Sequence, residues 1–153
     1  MKATLSGETS ATPNRIAKTP LAWIVSALTA LLFLYLLSYL PTITASGAIQ
    51  WSVPWVPDLG LTLALYLDGL ALLFALIIVG IGAVVALYAG YYFDSSRELN
   101  RFYGLLFAFM ASMLALVVAG NVFTLFIAWE LTSIISFLLI SFHGDESEAA
   151  RAG

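Results

Sequence analysis

Residues 68–93 read DGLALLFALIIVGIGAVVALYAGYYF, and from Gly69 to Phe93 no side chain carries a charge. A helix needs about 20 apolar residues to cross the hydrocarbon core of a bilayer, so this stretch predicts a membrane-spanning helix over about 69–93. Asp68 stands directly before it. Its carboxylate suits an N-cap, which accepts from the free amides of a helix's first turn. The other reading of Asp68 is a functional carboxylate near the membrane interface.

Toward the C-terminus, Asp94-Ser95-Ser96-Arg97-Glu98 interrupts the apolar run, and Ser95 with Glu98 has capping-box spacing for a following helix. A third span is expected over about 97–119, a tight turn at Gly120-Asn121, and a fourth span over about 122–142, before an acidic tail at 143–153 that holds His143. Toward the N-terminus the period changes. Ile49, Trp51, Val53 and Trp55 alternate with other residues, as do Leu61, Leu63, Leu65 and Leu67, around Pro57-Asp58-Leu59-Gly60. That pattern predicts a β-hairpin over about 49–67. Its tryptophans suit the headgroup level, so the hairpin is expected flat on the membrane surface.

A first span is expected over about 21–40, closed by Pro41, which cannot continue the hydrogen-bond ladder. Its apolar run exceeds the 7–15 residues of a signal-peptide core, which favours an uncleaved helix. Residues 1–20 are rich in Thr, Ser and Pro and read as a polar tail. The expected fold is an all-α membrane protein of about four transmembrane helices with a short external β-hairpin, its transmembrane domain covering 21–142.

Composition agrees: 61% of the 153 residues are hydrophobic and 10% are charged, against about a quarter charged in soluble domains. The net charge of −3 is spread over connections and tails, so no nucleic-acid face follows. With no cysteine and one histidine, iron–sulfur ligation, disulfides and a bis-histidine haem are excluded within the chain. No Gly-rich phosphate loop occurs, and no cofactor is expected.

All six basic residues, Lys2, Arg15, Lys18, Arg97, Arg101 and Arg151, fall on one side if the four helices alternate. The positive-inside rule then puts both termini and the 94–101 connection in the cytoplasm, with the hairpin and the Gly120-Asn121 turn outside. The expected location is a cell membrane, crossed several times by the chain.

Glu130 is the residue that asks for an explanation. It lies about 12 Å along a fourth span of about 30 Å, at 1.5 Å per residue. An acid at that depth costs about 3 kcal/mol on insertion scales. Loss of water favours its neutral form, and a neighbouring cation favours the ionised one, yet no basic residue of this chain lies at that depth. Glu130 is therefore expected to be buried and either protonated, hydrated or paired with a cation from another segment. A group balanced between those states is what a proton relay requires; a neutral acid hydrogen-bonded for packing is the other reading.

Ser133 lies one turn away, with Thr132 and Ser136 beside it. These hydroxyls could orient water or the carboxylate, or simply back-bond to helix carbonyls. Arg101 reads as a solvated anchor and Asn121 as a turn residue. Phe102, Phe107 and Phe109 read as lipid or helix contacts.

Six segments, taken together, resemble a known family: Leu67-Asp68-Gly69-Leu70-Ala71, Tyr88-Ala89-Gly90-Tyr91-Tyr92, Arg101-Phe102-Tyr103, Ala119-Gly120-Asn121, Trp129-Glu130-Leu131-Thr132-Ser133 and Ser136-Phe137-Leu138-Leu139-Ile140. In order and spacing they are similar to the antiporter-like subunits shared by complex I chain 5 and the Mrp cation/proton antiporters. Trp-Glu-Leu-Thr-Ser, with Trp55-Val56-Pro57 before the hairpin turn, is most similar to the large A subunit of Mrp. The resemblance covers about residues 20–152. It implies that Glu130 sits in a proton half-channel, paired with a lysine on a later broken helix, in a complex that exchanges protons for Na+ or K+ alongside other membrane subunits.

Two departures accompany the resemblance. Family members begin with one more span, where this sequence has its polar tail, and they continue through many further helices. The chain is accordingly expected to be a fragment, a truncated product or one piece of a split subunit. Two other expectations stand beside antiport: a proton-pumping subunit of a complex I-like or hydrogenase complex, and a structural or assembly subunit without a transport role.

Overall fold

A computed structural model describes residues 19–56, 58, 60–93 and 96–141. Of the expected tails, residues 1–18 and 143–153 lie outside the described residues, as does the Ser95 cap, while Thr19 and Pro20, expected in the tail, begin the first helix. Among the described residues, five helices and two strands follow one another: α1 (Thr19–Leu37), α2 (Leu40–Ser46), β1 (Ala48–Val56), β2 (Leu61–Asp68), α3 (Gly69–Tyr92), α4 (Ser96–Val117) and α5 (Val122–Ile140). Four helical stretches among the described residues are long and apolar enough to cross a membrane: Leu21–Ser46, Gly69–Tyr92, Arg97–Val117 and Val122–Ile140.

The first of these is broken where an unbroken helix closed by Pro41 was expected. α1 ends in a tightened turn, with the Ser38 amide donating to the Leu34 and Tyr35 carbonyls, and Pro41 then sits in the first turn of α2. A proline has no N–H to give, and the first turn of a helix is the one place where none is asked for. Pro41 therefore opens a helix instead of closing one.

Each helix packs mainly on its neighbours in the order α1, α3, α4, α5. The core lies between α1, α3 and α4, where Val79, Ala86 and Ala89 of α3 meet Leu99, Tyr103, Leu106 and Met110 of α4, with Val25 and Phe33 of α1 against them. Lipid is as apolar as leucine, so close packing of small residues, not expulsion of water, drives such contacts. Gly90 shows the principle: a Cβ there would run into Ala22 of α1. Across α3 and α4 the Tyr103 hydroxyl donates to the Ala86 carbonyl at 2.9 Å. Large side chains such as Leu70, Leu73, Ile81 and Val84 point outward from α3, as they would toward lipid.

β1 and β2 pair antiparallel, with Ile49 opposite Leu67, Trp51 opposite Leu65 and Val53 opposite Leu63, and a register shift between Pro54 and Val56. Side chains alternate across a strand. One face of the hairpin is consequently apolar, and the other carries Gln50, Ser52, Thr62 and Tyr66.

A two-stranded hairpin is marginal by itself, and this one is supported. Tyr66 N donates to Val118 O and Gly120 N to Ala64 O, both at 2.7 Å, so the α4–α5 connection runs along the free edge of β2. The hairpin and the Gly120-Asn121 turn thus share one end of the bundle. Arg97 and Arg101 begin α4 at the other end.

Candidate functional site

α5 carries the acid. Asn121 caps it, the Asn121 Oδ1 accepting from Thr124 N at 2.8 Å, and its buried residues are Thr124 and Ala128. Ala128 lies on the packed side of α5, whose main helical neighbour is α4, and Thr124 bonds β2 of the hairpin. At about 100° per residue, Glu130 lies about 200° round from Ala128, on the side opposite α4.

Glu130 was expected to be enclosed. Within this chain it is exposed, because α5 has a single packed helical neighbour and the acid points away from it. Ser133 is exposed on the same side. Phe126, Glu130, Ser133 and Phe137 follow at intervals of four, three and four residues and form one stripe. Phe126 is 58% and Phe137 69% exposed. The stripe thus places two polar groups at mid-span between two uncovered aromatic rings. An acid at that depth is costly against lipid.

The hydroxyls separate. Thr132 Oγ1 donates to the Ala128 carbonyl at 2.8 Å, the back-bond within one helix. Ser136 is half-buried and Ser133 shares the open face with Glu130.

Asp68 is at the opposite end of the chemistry. Its Oδ1 accepts from Ala71 N at 2.8 Å, which makes it the N-cap of α3. It starts a different helix from the one that carries Glu130 and Ser133. The three acid and hydroxyl candidates therefore divide into a pair on α5 and a cap on α3.

Sequence reasoning took Asn121 for a turn residue and missed its wider part. Its Nδ2 donates to Thr62 O at 2.8 Å, while Thr124 Oγ1 accepts from Ala64 N at 3.0 Å. Both bonds join residues about 60 positions apart, and no local pattern signals them. The signal that could have been read is the N-cap spacing from Asn121 to Thr124.

Among the described residues, four helices long and apolar enough to cross a membrane, with a hairpin at one end and an acid halfway along the fourth, define the class as an integral membrane protein. The family described as NADH-ubiquinone oxidoreductase (complex I), chain 5 N-terminus, matches residues 51–103. The A subunit of the Na(+)/H(+) antiporter from Alkalihalophilus pseudofirmus is 44% identical over 82% of this chain and 16% of its own length. The A/B subunit of a probable K(+)/H(+) antiporter from Rhizobium meliloti is 43% identical over 80% of this chain and 12% of its own. One polypeptide in the structure of the Mrp complex from Dietzia sp. superposes with a TM-score of 0.61 at 38% identity, over 84% of this chain and 13% of that one.

Over 80–84% of its own length the chain is similar to subunits of cation/proton antiporters and of the Mrp complex, and over residues 51–103 it matches the complex I chain 5 N-terminus family. Within them it is similar to the N-terminal portion of the Mrp A subunit, and it spans 12–16% of the length of these curated relatives.

Proposed function

We propose that this chain is the N-terminal part of a membrane subunit, partial or split, of a multisubunit monovalent cation/proton antiporter, and that Glu130 carries protons within it. One observation supports this above the others: Glu130 lies at mid-span on the face of α5 turned away from α4. A carboxylate there is tolerable only with a protein or water neighbour on the open side. Later segments of the same subunit, or another subunit, would supply that cover and a cation to balance the charge.

In this reading Glu130 alternates between neutral acid and carboxylate as the proton leaves for water or a hydroxyl on the covered side, and Ser133 is the nearest hydroxyl of the same stripe. Lipid surrounds the remaining faces, Na+ or K+ moves in the opposite direction, and the ion gradients supply the driving force. The surrounding membrane is the prokaryotic plasma membrane, with Arg97 and Arg101 at the cytoplasmic end and the hairpin outside. Asp68 acts as a cap and not as a relay.

The test is Glu130→Gln in the assembled complex. Antiport lost with assembly intact supports the relay, whereas unchanged antiport favours a bracing role for the four helices. The match of residues 51–103 to complex I chain 5 favours one second reading, the proton arm of a respiratory or hydrogenase complex. Co-purification of redox subunits with the chain would reveal it.

A further inference from the structure

α5 packs along α4 on one face and leaves its other face open. Its buried residues, Thr124 and Ala128, both lie in its first half, and from Trp129 onward its outer faces are open. What holds its first turn is the hairpin. Ala64 N donates to Thr124 Oγ1 at 3.0 Å, Asn121 Nδ2 to Thr62 O at 2.8 Å, and Gly120 N to Ala64 O at 2.7 Å. The same Asn121 accepts from Thr124 N through Oδ1, so one side chain bonds the strand with one end and the helix with the other.

At Gly120 the backbones of the strand and of the α4–α5 connection come close. A Cβ on it would stand 3.1 Å from the Ala64 carbonyl carbon and 3.2 Å from the Ala64 Cβ. The absence of a side chain there lets the strand seat against the helix start.

A helix is stiff over two turns, so a bond that fixes the height and rotation of residue 124 also fixes residue 130, about 9 Å further along. We propose that Asn121 and Thr124 are positioning residues: by clamping the start of α5 to β2 they set the depth and facing of Glu130. The part concerning transport rests on the reading of Glu130 as a proton carrier. The clamp itself does not.

Two substitutions separate the strand bond from the helix cap. Asn121→Asp keeps an oxygen for Thr124 N and removes the donor to Thr62. Thr124→Val keeps the shape and leaves Ala64 N without its acceptor, while Thr124→Ser restores the hydroxyl. The sequence contains no cysteine, so Ser133→Cys gives the chain a single thiol on the Glu130 face.

In the complete antiporter complex, the rate of maleimide labelling at that thiol and, in the same variants with Ser133 retained, the pH of half-maximal antiport would be read at equal complex content. Asn121→Asp and Thr124→Val are expected to change the labelling rate by about fivefold, the weight of one lost hydrogen bond, and to shift the pH profile. Thr124→Ser is expected to return both to the parent values. Unchanged labelling with the complex assembled overturns the proposal. Changed labelling in a complex whose antiport survives Glu130→Gln supports the clamp and overturns the proton-carrier reading.

Discussion

Ala64, in the second strand of the hairpin, donates its amide to the hydroxyl of Thr124 in the first turn of α5 across 3.0 Å. The bond spans 60 positions of sequence and joins an element at the end of the bundle to the helix that carries Glu130. Around it, Gly120, Asn121 and Thr62 complete a junction in which nearly every exchange is between backbone and backbone, or backbone and a short polar side chain.

Gly120→Val is expected to open this junction. A side chain at 120 would meet the Ala64 backbone, which cannot rotate out of the way as a flexible side chain could. Overpacking of this kind costs about 1–3 kcal/mol, and the check is thermal denaturation of the detergent-solubilised complex. Gly104→Ala, at a position where a Cβ meets nothing within 4 Å, should leave the melting curve in place.

Asp68 offers a sharp distinction between a cap and a relay. Asn also caps well, so Asp68→Asn should keep both stability and antiport, while Asp68→Ala should lose about 1 kcal/mol from the start of α3. Antiport abolished by Asp68→Asn in a fully assembled complex would show that the charge, and not the cap, matters.

At the α1–α3 crossing, Gly90→Leu is expected to separate the helices, because even a Cβ at 90 collides with Ala22. A lowered yield of membrane-inserted protein and a lower melting temperature would register it. Tyr103→Phe removes only the hydroxyl that reaches the Ala86 carbonyl, and hydrogen bonds between membrane helices average about 0.6 kcal/mol. Its effect should be the smaller of the two.

Much of this architecture is written locally. Uninterrupted apolar runs mark the spans, alternation at 49–55 and 61–67 marks the hairpin, and Asp68 before Gly69 marks a helix start. Each is a short-range pattern with one physical cause.

The break at Ser38-Tyr39 escaped because a proline reads equally as the end of one helix and the beginning of the next. The facing of Glu130 escaped for a deeper reason. Depth follows from counting residues, but facing follows from which helix α5 packs against, and that is a tertiary choice. The junction at Thr62, Ala64, Asn121 and Thr124 is likewise tertiary, built from residues whose local signals say only strand, turn and cap.

The most direct test of the account compares Glu130→Gln and Glu130→Asp with the parent complex, at equal complex content, in membrane vesicles loaded to follow cation-driven proton movement. Glutamine matches the size of the acid but cannot give up a proton, so the account predicts antiport below about a tenth of the parent rate, a loss of more than about 1.4 kcal/mol in barrier terms. Aspartate, which retains a titrating carboxyl on a shorter stem, should recover part of the rate. Parent-level antiport in the Glu130→Gln complex would contradict the account.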